Sequence, residues 1–389
     1  MRKMKLIALK DVCKINMGQS PNSSSYNDYG DGMPFFQGNA DFGERYPITR
    51  VWCNTPTKIA QAEDILISVR APIGALNYAK EECCIGRGLA AITPDRNKVS
   101  QDFIYWALKG KKAELNDKGN GSTFKAISRK ILEETMIPDI NFEQQHKCAE
   151  NLEKIYGIIQ NRRKELLALD DLIKARFVEM FGDAVANPMN WPIKELKDLS
   201  VQINSGNTPK GGSENYVEEG IAFFRSQNVW KDCLKMDDIA YIDEETHAKM
   251  KRSSLKQGDI LMTKTGRINT ENSSLGRAAL YMGEDDMANV NGHVYFIRLK
   301  PEVNNKFVLR ILVSDEYRDL IRSVCVGGID KRQLNKEHIE DFPIICPPDY
   351  MVDKYVSFVE QVDKSKVAVQ KALDETQTLF DSLMQEYFG

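Results

Sequence analysis

The chain has 389 residues, more than one hydrophobic core usually supports, so two globular domains are expected. Its 42% apolar and 28% charged residues are ordinary for a water-soluble protein, and no apolar run reaches membrane-spanning length. A formal charge of −3, from 53 basic and 56 acidic residues, neither requires nor excludes a nucleic-acid partner, because affinity follows local fields rather than the total. The acids concentrate in runs such as Glu133-Glu134, Asp243-Glu244-Glu245 and Glu284-Asp285-Asp286, which leaves basic surface elsewhere.

The N-terminus, Met1-Arg2-Lys3-Met4-Lys5, leads directly into a strand pattern with no apolar signal segment, so a cytoplasmic protein with no membrane partner is expected. Eight scattered cysteines, with Cys83 and Cys84 adjacent rather than spaced as a metal or redox pair, read as reduced, buried thiols. Residues 1–141 read as a first domain of short strands broken by turns such as Gly30-Asp31-Gly32 and Arg70-Ala71-Pro72-Ile73-Gly74. One amphipathic helix is predicted from Asp102 to about Lys112, and Pro138 closes the domain. Residues 142–183 form a helical spacer, from Phe142 to about Phe181, with Gly157 tolerated inside it. Its stripe of Leu152, Ile155, Ile159, Arg162, Leu166, Leu169, Ile173, Arg176 and Met180 alternates steps of three and four, the seam of a helix that packs along another. Residues 184–349 form a second strand-rich domain. Residues 350–389 form a second spacer helix, with the seam Val359, Val362, Lys366, Val369, Leu373, Thr376, Phe380, Leu383 and Tyr387.

The second half repeats the first. Leu132 matches Ile339 and Phe181-Gly182 matches Phe388-Gly389, with a constant offset of 207 residues between these markers. Earlier in the chain, Gly18-Gln19-Ser20-Pro21 returns as Gly206-Asn207-Thr208-Pro209, Phe35-Phe36 as Phe223-Phe224, and Asp64-Ile65-Leu66-Ile67-Ser68 as Asp259-Ile260-Leu261-Met262-Thr263. These are whole domain-plus-helix modules rather than short solenoid units. The expected fold is therefore α+β: two tandem mixed α/β modules, each followed by a long helix, the two helices packing as an antiparallel coiled coil. Antiparallel packing follows from the linker Gly182–Trp191, which is too short to run back along a helix of roughly 50–60 Å. It sets the domains at opposite ends, within reach of two half-sites on one duplex.

With the duplication, the Gly-x-Ser/Thr-Pro loops, the Phe-Phe strands, the Gly121-Ser122-Thr123 and Gly327-Gly328 loops and the long helices, the whole chain resembles the specificity (S) subunit of a Type I restriction–modification system. The resemblance implies two target-recognition domains, each reading half of a bipartite double-stranded DNA sequence. It implies helices that space them and dock a pair of modification (methyltransferase) subunits, which bind S-adenosylmethionine and methylate adenine. A restriction (motor-nuclease) subunit using ATP and Mg joins the same assembly. No cofactor or metal is expected on this chain, and it is expected to be non-catalytic.

The residues agree with that expectation. Gly206–Ser213 only superficially resembles a P-loop, because Gly212 stands where lysine is required. Asn187-Pro188-Met189-Asn190 and Cys346-Pro347-Pro348-Asp349 fall short of the amino-methyltransferase motif and lie at domain–helix junctions. His146, His247, His293 and His338 are scattered without repeat mates and read as surface or structural residues. A stand-alone DNA methyltransferase and a protein-binding scaffold that reads no DNA are the alternatives.

Base reading needs Arg, Lys, Asn and Gln presented from loops on a rigid frame. In the first domain these are Gln37, Asn39, Arg70, Arg87, Lys125, Arg129 and Lys130. In the second they are Arg225, Gln227, Asn228, Lys264, Arg267, Arg277, Lys331, Arg332 and Lys336. Singly, each is as readily a solvated surface charge. Together they recur at equivalent places in both repeats.

Overall fold

The computed structural model describes residues 5–119, 125–209, 211–268, 270, 272–328 and 331–389. Residues 1–4, the Gly121-Ser122-Thr123 loop and Lys210 lie outside these. The chain divides into two compact units, Met1–Leu166 with Ala368–Gly389, and Leu167–Val367, so each unit holds one repeat's strands and parts of both long helices.

In the first unit, strands Cys13–Met17, Leu89–Pro94, Ile65–Ser68 and Leu76–Tyr78 form an antiparallel sheet in that spatial order. Strand Ile65–Ser68 is buried along its whole length because it is covered on both faces. Ile65 and Ile67 pack with helix Gln101–Gly110, while Leu66, beside Leu89 of its own sheet, faces Phe36 and Ile85 of a second sheet. That second sheet contains a parallel pair, Met33–Phe36 beside Cys83–Ile85. A short ribbon, Leu6–Ala8 with Met136–Pro138, precedes the long helix.

The second unit repeats this plan. Ser200–Ser205, Val294–Leu299, Ile260–Thr263 and Ala278–Leu280 follow the same spatial order, Ile221–Phe224 pairs in parallel with Ala288–Val290, and Ile193–Glu195 forms the ribbon with Pro343–Ile345. Ile260 and Met262 face helix Asn305–Leu312, and Leu261 faces Phe224, Val290 and Phe296. Each central strand begins with a buried carboxylate. Asp64 accepts the Gln61 N–H at 2.9 Å and Asp259 the Lys256 N–H at 2.8 Å. Of the two, Asp259 has an arginine forked onto it, with Arg298 Nε and Nη2 at 2.9 and 2.7 Å. Burial holds the Asp259 carboxyl above the usual carboxylate range, against the opposing hydrogen bonds and charge of Arg298.

The first domain's helix ends at Gly110, earlier than its periodicity suggests, and resumes as Lys112–Asp117 after one residue. Gly110 lies against the chain's last helical turn, where an added Cβ would come within 3.0 Å of Phe388 Cβ. The long helices run Phe142–Phe181 and Asp349–Phe388, 40 residues each. Leu152, Ile159 and Ile173 are buried, as are Val359, Val362, Val369, Leu373 and Phe380; Ile155, Leu166, Leu169 and Leu383 are half-buried.

Within the first unit Asn151 donates to Tyr387 Oη at 3.4 Å and Arg163 to Gln377 at 3.4 Å. Within the second, Lys366 meets Asp170 at 2.5 Å and Tyr355 Oη donates to the Ile173 carbonyl at 3.5 Å. In each unit the partner's number falls as the helix number rises, so the packing is antiparallel.

The seam has a third partner that periodicity does not reveal. In the first unit Trp106 meets Phe380 edge-on at 5.7 Å and Phe103 packs on Phe388 at 5.6 Å. In the second, Phe307 packs on Phe177 and Phe181 at 5.8 and 5.1 Å. Each domain's own helix therefore closes over the helix contributed by the other repeat.

All eight cysteines are unbridged. Burial pushes the thiols of Cys13, Cys83 and Cys148 up to about 12, which leaves them inert. Cys233 corrects the expectation of buried thiols, because it lies exposed in a short hairpin strand. No helix among the described residues is long and apolar enough to cross a membrane.

Arg298→Met is expected to destabilise the chain by about 3–5 kcal/mol, because it leaves the Asp259 carboxylate buried beside an apolar side chain. Protonation removes that buried charge, so the deficit should shrink as pH falls. Denaturant melts at several pH values measure it, and a pH-independent deficit would show that lost packing, not charge, sets the cost.

Candidate nucleic-acid interface

Four chain segments of the first unit lie side by side, fixed by backbone hydrogen bonds. Gly86 N–H donates to the Phe36 carbonyl at 2.8 Å and Gly88 N–H to the Gln37 carbonyl at 3.2 Å. Val69 N–H then donates to the Gly88 carbonyl at 2.9 Å, and Ile127 N–H to the Val69 carbonyl at 2.9 Å. Arg70 bridges Ala126 and Ala71 N–H reaches the Lys125 carbonyl at 3.2 Å. This ladder sets Gln37, Arg87, Arg70 and Lys125 along one edge, all four exposed. Ser20 joins them, with Gln37 Nε2 donating to its hydroxyl at 2.9 Å.

The second unit builds the same ladder. Asn291 N–H donates to the Phe224 carbonyl at 2.9 Å, Lys264 N–H to the His293 carbonyl at 2.8 Å, and Leu334 N–H to the Lys264 carbonyl at 2.9 Å. Gly18 and Gly206 also match, donating to the carbonyls of Leu89 and Val294 at 2.9 and 3.0 Å. The Gly206 amide is thus part of the strand frame rather than a phosphate cradle. A Cβ at Gly206 would come within 1.8 Å of the Val290 carbonyl oxygen, which explains the glycine.

The ladder separates the sequence candidates. Arg267 and Lys331 are exposed and line one open polar groove of about 330 Å³ with Thr265, Thr270 and Asn272. Lys264 is half-buried with its ammonium 5.6 Å from the Tyr295 ring centre. Gln227 is exposed and donates to Asp238 at 2.8 Å. That bond and the neighbouring Arg225 hold the Asp238 carboxyl below its usual range. Arg225 itself is half-buried and bound to Asp238, and Arg332 is half-buried with Nη1 on the Cys325 carbonyl at 3.2 Å. Asn39 begins a short turn and is half-buried.

Arg129, Lys130 and Lys336 stand on short helices that follow the ladder, each ion-paired four residues on, with Glu133, Glu134 and Glu340. These exposed pairs are weak and screened, so the cations remain exchangeable. Asn228 requires a correction: it is 1% exposed. Its Oδ1 accepts the Arg225 N–H at 2.9 Å and its Nδ2 donates to the carbonyls of Lys235 and Asp238 at 3.1 Å each. It shapes the loop and is not placed to touch DNA. Arg277 is also turned inward, its guanidinium 4.0 Å from the Trp230 ring centre and donating to the Ser273 carbonyl at 2.9 Å. Burial, with Arg318 nearby, lowers its pKa. Ser20 and its link to Gln37 have no signal in the sequence, because only the folded ladder brings the two together.

Two copies of one strand frame, each with a polar and basic edge, make a duplicated module with two candidate nucleic-acid edges. The family model described as Type I restriction modification DNA specificity domain matches residues 1–168 and again 188–376. The chain therefore belongs to that family, with its domain present twice. The MjaX type I restriction enzyme specificity subunit of Methanocaldococcus jannaschii is 47% identical over 152 residues, which are 39% of this chain and 36% of that one. The MjaIX specificity subunit of the same organism is 25% identical over 410 residues, covering 97% of this chain and 90% of the relative. The crystal structure of the S subunit of a Type-I restriction-modification system from M. genitalium matches in fold at a TM-score of 0.60 and 15% identity, over 100% of this chain and 97% of that one.

Neutralising Arg70 and Lys125 together, as Arg70→Gln with Lys125→Gln, should weaken binding equally for all DNA sequences. It should also flatten the dependence of log affinity on log salt by about two units. Titrations of the partnered protein at several ionic strengths test this, and an unchanged salt slope would remove both residues from the interface.

Proposed function

We propose that the chain is the DNA-recognition and assembly subunit of a Type I restriction–modification complex, reading a bipartite target with one half-site per module. One observation carries the reading: the same hydrogen-bonded ladder is built twice and bears different side chains at equivalent rungs. A shared frame with altered donors and acceptors suits the reading of two different half-sequences. Gln37, Arg70, Arg87 and Lys125 serve one half-site, and Gln227, Lys264, Arg267 and Lys331 the other. Within these sets Arg70 and Lys125, together with Arg129, Lys130 and Lys336, supply phosphate contacts.

In this reading residues 1–141 and 184–349 are the target-recognition domains, and residues 142–183 and 350–389 the spacers. The spacers leave apolar side chains about half exposed or more, among them Ile158, Leu172, Val178, Val367 and Leu379. Such a surface suits helical partners. A pair of modification subunits carrying S-adenosylmethionine would dock there, with a restriction subunit supplying ATP- and Mg-dependent steps, all in the cytoplasm. Nothing on this chain is assigned a catalytic role.

Replacing residues from Leu6 to Pro138 with the equivalent domain of a relative should change one half-site and leave the other intact. Sequencing of methylated adenines from a host carrying the hybrid reads this directly, and a simultaneous change in both half-sites would refute independent reading.

The helix pair should also act as a ruler. Four residues inserted near Leu166 add about 6 Å of helix and rotate the downstream segment by roughly 40°, with some loss of stability as the seam stutters. The half-sites should persist while the preferred spacer lengthens by about two base pairs. Retained activity with an unchanged spacer would falsify the ruler.

A further inference from the structure

The turn that leads into strand Leu89–Pro94, and its counterpart before Val294–Leu299, closes with the same hydrogen bond in both modules but carries its side chain at a different position. In the first it is Gly86-Arg87-Gly88-Leu89, and in the second Asn291-Gly292-His293-Val294. Leu89 N–H closes the first turn on the Gly86 carbonyl at 3.0 Å, and Val294 N–H closes the second on the Asn291 carbonyl at 3.1 Å. Resting on the reading that the ladder edges face DNA, we infer that this turn is a base-reading element of both modules. Arg87 recognises a guanine in one half-site, and His293 makes the corresponding base contact in the other.

The first turn bars a side chain at Gly88, where backbone stands in the way, while at Gly86 the nearest atom is the movable end of Gln37. A Cβ at Gly86 would lie 2.7 Å from Gln37 Oε1, and one at Gly88 would lie 2.4 Å from the Gln37 carbonyl oxygen. Arg87 between them is exposed, and its N–H donates to the Ser20 hydroxyl at 3.3 Å, which fixes the backbone from which the side chain departs. Among the described residues no carboxylate pairs with its guanidinium, unlike Arg129 or Arg225. A free guanidinium fork on a pinned turn, flanked by the Gln37 amide, matches the two acceptors that guanine presents in the major groove.

In the second module side chains stand at the first and third positions instead. Asn291 occupies the place of Gly86, and Gly292 is open, with nothing nearer than 3.6 Å to a Cβ. The exposed side chain moves to His293, whose N–H is held by Asn291 Oδ1 at 3.0 Å and whose carbonyl receives the Lys264 N–H at 2.8 Å. The imidazole offers one donor and one acceptor where the first module offers a fork of donors. The two modules thus differ in the base features they can recognise at one rung of a shared frame.

The test uses the full chain assembled with its native modification partners and carrying Arg87→Ala, Arg87→Lys or His293→Ala. The readouts are the set of methylated sequences and the affinity for cognate and random duplexes. Arg87→Ala should relax one guanine position in one half-site, with cognate affinity reduced roughly ten- to a hundredfold and random-DNA binding nearly unchanged. Arg87→Lys, which keeps the charge and loses the fork, should relax the same position. His293→Ala should relax a single position in the other half-site only.

If Arg87→Ala weakens all sequences equally and flattens the salt slope by about one unit, Arg87 holds a phosphate and the inference is overturned, while the DNA-facing edge stands. If neither motif nor affinity changes in any variant, and the melting temperatures are native, the inference falls and the edge reading falls with it.

Discussion

Neither domain's hydrophobic core closes without a helix from the other repeat. The first core takes Leu373, Phe380 and Phe388 from the C-terminal helix, beside Leu152 and Ile159 of the first domain's own spacer. The second takes Ile173, Phe177 and Phe181 from the first spacer, beside Tyr355, Val356 and Val359 of its own. A fully buried leucine or phenylalanine contributes about 1.5–3 kcal/mol, so a core that lost three such residues would lose a large share of an ordinary domain's stability. The duplication is therefore a structural requirement, because each repeat completes its neighbour. It also explains why a helix with only a narrow apolar stripe persists for 40 residues.

That mutual closure leaves the exposed edge of each ladder free to vary. The ladder is built from backbone groups, with glycines at the tightest approaches, so its geometry depends little on which side chains it carries. On the proposed reading, recognition can then change through Arg87, Gln37 or His293 without disturbing the sheets beneath. The overall negative charge is compatible with this arrangement, because exposed cations gather along the edges while many acids cap helices or pair with lysines elsewhere, as Asp243 and Glu360 do.

The periodic parts of this fold were legible in the sequence. Both seams follow steps of three and four, and the buried positions fall in the phase that those steps give, because a helix lying against a partner must repeat its contacts every turn or two. The 207-residue offset likewise holds in the ladder, where Lys125 and Arg332 occupy one rung and Ser128 and Asn335 precede equivalent helices. The third partner of the seam was not legible, because Phe103 and Phe307 reach it across sequence distances that no local pattern encodes. Asn228 misled for a related reason. An amide after a Phe-Phe strand suits base reading and loop capping equally, and only the folded loop shows three backbone groups already using it. His293 passed as an unmatched histidine because its repeat mate is a glycine, Gly88, and the equivalence rests on carbonyl positions rather than residue identity.

The central claim is that the two polar edges engage two separate half-sites of one DNA molecule. A photo-reactive amino acid placed at position 125 in one sample and at position 331 in another, each in the partnered protein on its target duplex, tests it most directly. The account predicts that position 125 cross-links to nucleotides of one half-site and position 331 to nucleotides of the other, with the intervening spacer unlabelled by either. Cross-links from both positions to the same half-site, or no preference for the target over random duplex, would contradict it.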